Sequence, residues 1–146
     1  MPEGWGRGLP PVWSAEPRGR IGYHGACMNY NIHPDIAYRP LEIIEAGRLA
    51  DECPEKWWNQ SLCRVNDCVV RLGLFEGEFH WHRHDREDEL FFVLEGRLLL
   101  DLEGRTVELV PRQGMVVPRG VRHRTRAEIR TVVLMVEAAT VEPTGD

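Results

Sequence analysis

Glu78-Phe79-His80-Trp81-His82-Arg83-His84, then Asp85-Arg86-Glu87-Asp88, then Glu89-Leu90-Phe91-Phe92-Val93-Leu94-Glu95-Gly96 is the stretch on which the fold turns. In its first part every second residue is a histidine. Residues two apart share a face of a β-strand. The alternation therefore predicts a strand with His80, His82 and His84 on one face and Trp81 and Arg83 on the other. Imidazoles two apart on an inward face converge on a single metal ion. Asp85 to Asp88 is a polar turn. Glu89 then opens an apolar strand, where a carboxylate costs free energy unless it has a partner. A metal cation is a natural one. The same parity puts Phe91 and Val93 on the face of Glu89, toward the interior.

Downstream, Pro118-Arg119-Gly120-Val121-Arg122-His123 forms a turn that enters another strand. Alternation there puts His123 and Thr125 on one face and Arg122, Arg124 and Arg126 on the other. His123 is thus a fourth candidate ligand. The basic residues Arg119, Arg122, Arg124, Arg126 and Arg130 form a stripe, expected to be a solvated outer face. Upstream, Arg71 falls in the strand Cys68 to Phe75. It is expected to face solvent, with a substrate carboxylate as its alternative partner. Trp57 and Trp58 are expected to pack at an interface or cap the barrel. From Ser61 onward, short runs rich in Val, Leu and Phe are divided by turn signals at Asn66-Asp67, Glu76-Gly77, Glu95-Gly96, Glu103-Gly104, Arg112 to Gly114 and Arg119-Gly120. This spacing predicts a sandwich or small barrel. Residues 41–53 allow a short helix, or a strand followed by a helical turn, with Gly47 against the helix.

Two segments together resemble the cupin superfamily. The first cupin motif is matched by His82-x-His84, four residues, Glu89, six residues and Gly96, with Gly77 one residue closer to His82 than usual. The second is matched by Pro118-x-Gly120-x-x-His123. There three residues separate Gly114 from Pro118 instead of five, and Ala127 replaces the usual Asn. The resemblance covers about residues 57–146 and is nearest to the small single-domain, mannose-6-phosphate-isomerase-like cupins. It implies an all-β double-stranded β-helix (a jelly roll, the cupin barrel) with one divalent metal held by His82, His84, Glu89 and His123. The alternative register through His80, His82 and Glu87 puts Leu94 where the motif has Gly. His80 is expected near the metal, as a pocket residue, an added ligand or a rim histidine. Such a site takes Fe, Mn, Zn, Ni or Co. An open coordination position supports dioxygenase, isomerase, cyclase or lyase chemistry on a small carbonyl- or carboxyl-bearing metabolite. The candidate catalytic residues are Glu89, exchanging off the metal as a base, and His80. A small-molecule binding or sensor module without turnover is the alternative. A homodimer is also implied; exposed sheet edges, Trp57, Trp58 and the N-terminal arm offer a physical basis.

Composition bounds the rest. The chain has 146 residues, a net charge of -5 and a pI near 5.7. That length fits one domain, and the acidic balance speaks against nucleic acid as a partner. Apolar runs reach only five residues (Leu90–Leu94, Val132–Val136), far from the ~20 of a membrane helix. No basic-then-apolar pattern follows Met1, which points to a cytoplasmic, reducing compartment. Cys27, Cys53, Cys63 and Cys68 are then expected as free thiols; they lack the two tight pairs of a structural zinc site. Residues 1–40 are expected as a flexible or draped extension, rich in Gly and Pro over its first half, with Trp5 and Trp13 as contacts and Met28 as an alternative start. Residues 41–146 form the barrel domain. His24 and His33 have no role in this reading.

Overall fold

The computed structural model describes residues 30–146. Trp5, Trp13, His24, Cys27 and Met28, with the expectations placed on them, lie outside the described residues. Eight strands and one helix follow in the order β1 (Asn31–His33), α1 (Ala46–Glu52), β2 (Trp57–Val65), β3 (Cys68–Glu78), β4 (Glu89–Glu95), β5 (Leu98–Leu102), β6 (Arg105–Leu109), β7 (Gly114–Val117) and β8 (His123–Ala138). The sheet order is β1-β2-β3-β8-β4-β7, with β5 paired to both β8 and β6. This is the expected jelly-roll architecture.

The long strand β8 organises the barrel. Its first residues pair with β5, His123 opposite Leu102. Its second half lies between β3 and β4, where Glu137 is opposite both Val69 and Glu89. One continuous strand therefore carries a candidate ligand at one end and a buried carboxylate at the other. Turns fall where the sequence places them at Asn66, Gly96, Gly104, Arg112 and Gly120, all with positive φ. Gly96 is required twice over: its φ is +80°, and a Cβ would lie 2.6 Å from the Arg130 carbonyl oxygen. Glu76-Gly77 is a correction. It is no turn but a bulge within β3, where the register with β8 shifts between Phe75 and Gly77.

Two apolar clusters form because β2, β3 and β8 are apolar on both faces. Trp57, Phe75, Phe91, Val93, Val133 and Met135 fill the barrel. Trp58, Leu62, Leu72, Leu74 and Val132 face outward, where Tyr38, Leu49, Ala50 and Cys53 cover them. Helix α1 belongs to this outer layer, so residues 41–53 resolve to the helix alternative. The Arg130 guanidinium fixes the layer by donating to the carbonyls of Ala50, Cys53 and Glu55 at 2.7, 2.8 and 2.9 Å. It reinforces the end of a short helix, where the Ala50 carbonyl also accepts from Cys53 N at 3.3 Å. Residues 30–40, the last part of the segment read as an extension, lie on the sheet: β1 pairs parallel with β2, and Tyr38 is buried.

Three side-chain expectations are corrected here. Trp57 and Trp58 neither cap the barrel nor sit at its edge; they are buried on opposite faces of β2. Arg71 does not face solvent. It is 5% exposed and paired with Glu137. The arginine stripe is not a simple solvated face: Arg124 and Arg126 both bond Asp101, at 2.7 and 2.6 Å. Arg122 and Arg124 lie against the Trp81 ring.

Candidate metal centre

The segment between β3 and β4 carries the histidines, but it is not the regular strand the alternation predicts. It is extended chain joined to β8 by Phe79 N, which donates to the Thr125 carbonyl at 2.8 Å, and by one isolated bridge. His82 and His123 exchange backbone hydrogen bonds of 3.0 and 2.8 Å as an isolated bridge. Two further bonds fasten it to the turn before β8. Gly120 N donates to the His84 carbonyl at 2.7 Å, and Arg119 N to Asp88 Oδ1 at 2.9 Å. The two motifs, far apart in sequence, are thereby brought together in space.

One ligand atom each from His82, His84, Glu89 and His123 lies within 4.8 Å of the others. These are the four predicted ligands. His84 and His123 are buried, and the Nε2 of each stands 3.3 Å from Glu89 Oε2. The ring orientations suit a metal. His82 Nδ1 faces the His80 carbonyl at 3.1 Å, and His123 Nδ1 the Val121 carbonyl at 3.0 Å. A carbonyl oxygen only accepts, so both Nδ1 atoms carry the proton and both Nε2 lone pairs stay free. Burial, then the neighbouring His123, lowers His82 to a pKa of about 4, which keeps its ring neutral. Burial works against an ionised Glu89, but the His123 and His84 rings beside it outweigh that and hold the carboxyl below its usual range. A divalent ion with bonds of about 2.0–2.2 Å needs donors roughly 3–4 Å apart. Three nitrogens and a carboxylate, already close to those separations, fit such an ion. Among the described residues no cysteine joins the cluster; Cys53, Cys63 and Cys68 are free.

His80 stands apart from the four donors, exposed at the rim. Its backbone N and Nδ1 contact Tyr30 Oη at 3.1 and 3.3 Å, and its Nε2 donates to the Thr144 carbonyl at 2.7 Å. The alternative ligand Glu87 is engaged elsewhere, accepting from Thr140 Oγ1 at 3.0 Å.

Two of the donors, His82 and Glu89, open onto a small cavity of about 20 Å³, lined otherwise chiefly by Trp57, Asn59, Phe75, Phe79, Phe91 and Glu137, with Thr125 and Pro143. That volume holds a water molecule or an ion. The segment 142–146 crosses its mouth. Besides the His80 bond, Asp146 N donates to the Arg83 carbonyl at 3.1 Å and Asp146 Oδ2 accepts from Asp85 N at 2.6 Å. Gly145 packs against the His82 ring so closely that a Cβ there would overlap it.

Parity alone places Phe91, Val93 and Thr125 inside, and all three are buried. The sequence reading misses Glu137, Ser61 and Asn59. Arg71 Nε donates to Glu137 Oε1 at 2.5 Å, and Arg71 Nη1 to Ser61 Oγ at 3.0 Å. Burial and the nearby Glu89 charge push the Glu137 carboxyl up, against the pull of Arg71. The available signal was the parity of β8: Glu137 shares the face of Val133 and Met135.

A β-barrel that gathers three histidines and a carboxylate beside an internal cavity defines the class: a barrel whose interior offers a donor set that could hold a divalent ion. Residues 70–137 match the family model of the cupin domain. The chain is 46% identical over 95 residues to the uncharacterized protein YdbB of Bacillus subtilis, covering 64% of this chain and 84% of that one. It belongs to the cupin superfamily. A shorter match, 44% identical over 45 residues, joins it to the polyketide synthase CurC of Streptomyces cyaneus, over 31% of this chain and 29% of that one. Among solved structures, a cupin-2 domain containing protein from Shewanella frigidimarina superposes with a TM-score of 0.63 at 28% identity, over 66% of this chain and 94% of that one. No helix among the described residues is long and apolar enough to cross a membrane.

Proposed function

We propose that this cupin is a metal-dependent enzyme acting on a small molecule that bears a carbonyl or carboxyl group. The observation that carries the reading is the convergence of four metal-capable donors, two with their remaining nitrogen engaged by backbone carbonyls, at one internal cavity. His82, His84, Glu89 and His123 would hold one divalent ion. When bound, it supplies Lewis-acid polarisation or, if redox-active, access to dioxygen chemistry.

The remaining work falls to the protein. Trp57, Phe79 and Phe91 exclude water and present flat apolar walls. Arg71 and Ser61 fix the Glu137 carboxyl beside the donors. Glu89, exchanging off the ion, would accept a substrate proton. His80 ties segment 142–146 and Tyr30 across the mouth, so a substrate enters only when that segment lifts. The partial match to a protein named a polyketide synthase agrees with a carbonyl-bearing substrate. The chain is proposed to work as a cytoplasmic homodimer; sedimentation of the purified protein at the monomer mass would refute the dimer.

The test compares metal content and turnover in wild type and His82→Ala. Bound divalent metal in the wild type, its loss in the variant and metal-dependent consumption of a metabolite support the proposal. Equal metal content in both refutes it. The small volume of the cavity favours a second reading, a metal-containing binding module without turnover. Thermal stabilisation by a compound that is never consumed would select that reading.

A further inference from the structure

The outer face of β5, β6 and β8 carries a second hollow, of about 420 Å³, within the size range of small-molecule sites. Strand alternation separates it from the metal centre. His123 and Thr125 are buried on the barrel side of β8, while Arg124 and Arg126 line the hollow. Its floor is Asp101, 5% exposed and opposite both Thr106 and Arg124 in register. That carboxylate is fully used. Oδ2 accepts from the Nε of Arg124 and of Arg126 at 2.7 and 2.6 Å, and Oδ1 from Thr106 Oγ1 and Arg126 Nη2 at 2.7 and 2.9 Å. One carboxylate thus serves two guanidiniums. Arg105 adds a third to the lining and makes no ion pair among the described residues.

Three positive charges against one negative leave a surplus of two in this lining, in a chain whose net charge is -5. The carboxylates around the hollow cancel little of it. Glu78 meets Arg124 Nη1 at 2.9 Å, but its side chain is 60% exposed. Glu108 and Glu128 turn to Arg97, and Glu103 stands exposed on the hairpin turn. Solvent screens such charges. Arg124 Nη2 and Arg126 Nη1 have no partner among the described residues, so both forks keep donors to offer. Trp81 forms one wall, with the guanidinium of Arg124 5.3 Å from its ring. That contact and Asp101 hold the Arg124 fork in place.

We propose that this outer hollow binds a phosphoryl group, as free phosphate or as a phosphomonoester of a small organic molecule. A phosphomonoester carries about -1.5 to -2 charge at pH 7 and three strong acceptor oxygens. Both match the surplus and the unused donors, and guanidinium forks suit phosphate oxygens in pairs. A lone carboxylate leaves one of the two charges unanswered. The hollow exceeds the anion in size, so Trp81, Leu102 and Gly104 can flank an organic body. The site does not depend on the metal-centre reading.

Titration of the full chain at constant ionic strength tests it, followed by the Trp81 indole N–H resonance in nitrogen–proton correlation spectra. Trp81→Phe identifies that resonance. The probes are inorganic phosphate, phenyl phosphate and benzoate. Both phosphates should shift the resonance saturably. Tighter binding of phenyl phosphate assigns the site to phosphomonoesters, and equal affinity assigns it to free phosphate. Arg105→Glu should weaken the phosphates about tenfold, equivalent to about 1.4 kcal/mol. Arg105 is exposed and unpaired, so the fold does not rest on it, and Arg105→Ala should weaken them in the same direction. His82→Ala should bind them as wild type does. Absence of a saturable shift with either phosphate overturns the proposal. Affinity unchanged in both Arg105 variants overturns it, because the anion then sits elsewhere. Affinity lost in His82→Ala overturns it by placing the anion at the metal centre. Benzoate bound as tightly as phenyl phosphate overturns the phosphoryl assignment.

Discussion

Replacing Arg71 by methionine keeps most of the side-chain volume and removes the charge that faces Glu137. Both side chains are buried, 6% and 2% exposed, and the Arg71 guanidinium donates to the Glu137 carboxyl at 2.5 Å, a charge-assisted bond that opposes the upward push of burial and the Glu89 charge on that carboxyl. The variant leaves Glu137 either ionised without a partner or protonated. Stranding one partner of a buried pair costs about 3–5 kcal/mol. Protonation sets a ceiling: neutralising at pH 7 a glutamate with an unfolded pKa near 4.3 costs about 3.7 kcal/mol, at 1.36 kcal/mol per unit. Ser61 Oγ also loses its donor. The expected loss is therefore about 3–4 kcal/mol. Urea unfolding followed by circular dichroism, with and without Zn(II), measures it. The double variant Arg71→Met/Glu137→Met removes both charges and should recover to within about 1 kcal/mol of wild type. A loss below about 1 kcal/mol for Arg71→Met would refute the reasoning, because Glu137 would then already be neutral in the native protein. A double variant as unstable as the single one would refute it equally.

Three further outcomes are expected. Arg126, Thr106 and Arg124 hold Asp101 well below the usual carboxylate range. Its contribution is thus complete above the unfolded pKa of about 3.9 and is lost as pH falls through the lower folded value. Asp101→Asn should cost about 1.5–3 kcal/mol at pH 7, the worth of hydrogen bonds to a charged group. In urea melts that gap should narrow progressively as pH falls below about 4; a gap that widens on acidification would contradict the assignment. Chelation by EDTA should lower the melting temperature of metal-loaded wild type, and divalent metal at 100 times its Kd should restore about 2.7 kcal/mol; His82→Ala should respond to neither. His80→Ala should leave metal content unchanged while speeding hydrogen exchange at Gly145 and Asp146, whose amides donate to Glu142 and Arg83 carbonyls. Loss of metal in that variant would make His80 a ligand after all.

The contrast between His123 and Glu137 shows what could be read from the sequence. Both are inward-facing residues on β8, and both flank Glu89: His123 through its Nε2, Glu137 across the β4 pairing. His123 is legible because it closes a turn with fixed spacing, Pro118-x-Gly120-x-x-His123, and turns impose local geometry that composition reveals. Glu137 sits at the end of an apolar run, with no turn beside it, and its partner Arg71 is 66 residues away. Nothing local distinguishes such a pair from two solvent-facing charges, and only the register of β3 against β8 brings it together. The same limit hid the outer core. Leu72, Leu74 and Val132 alternate with residues that face the barrel. A strand apolar on both faces announces a second covering layer without naming α1 as the cover. The histidine segment fails in the opposite way. His80, His82 and His84 keep strict alternation, yet only His82 is paired, because its neighbours spend their hydrogen bonds on the 118–122 turn and on segment 142–146. Parity holds where a ladder enforces it, as with Phe91, Val93 and Thr125. At the rim, where loops compete for the backbone, it puts His80 on the mouth of the cavity instead of inside it.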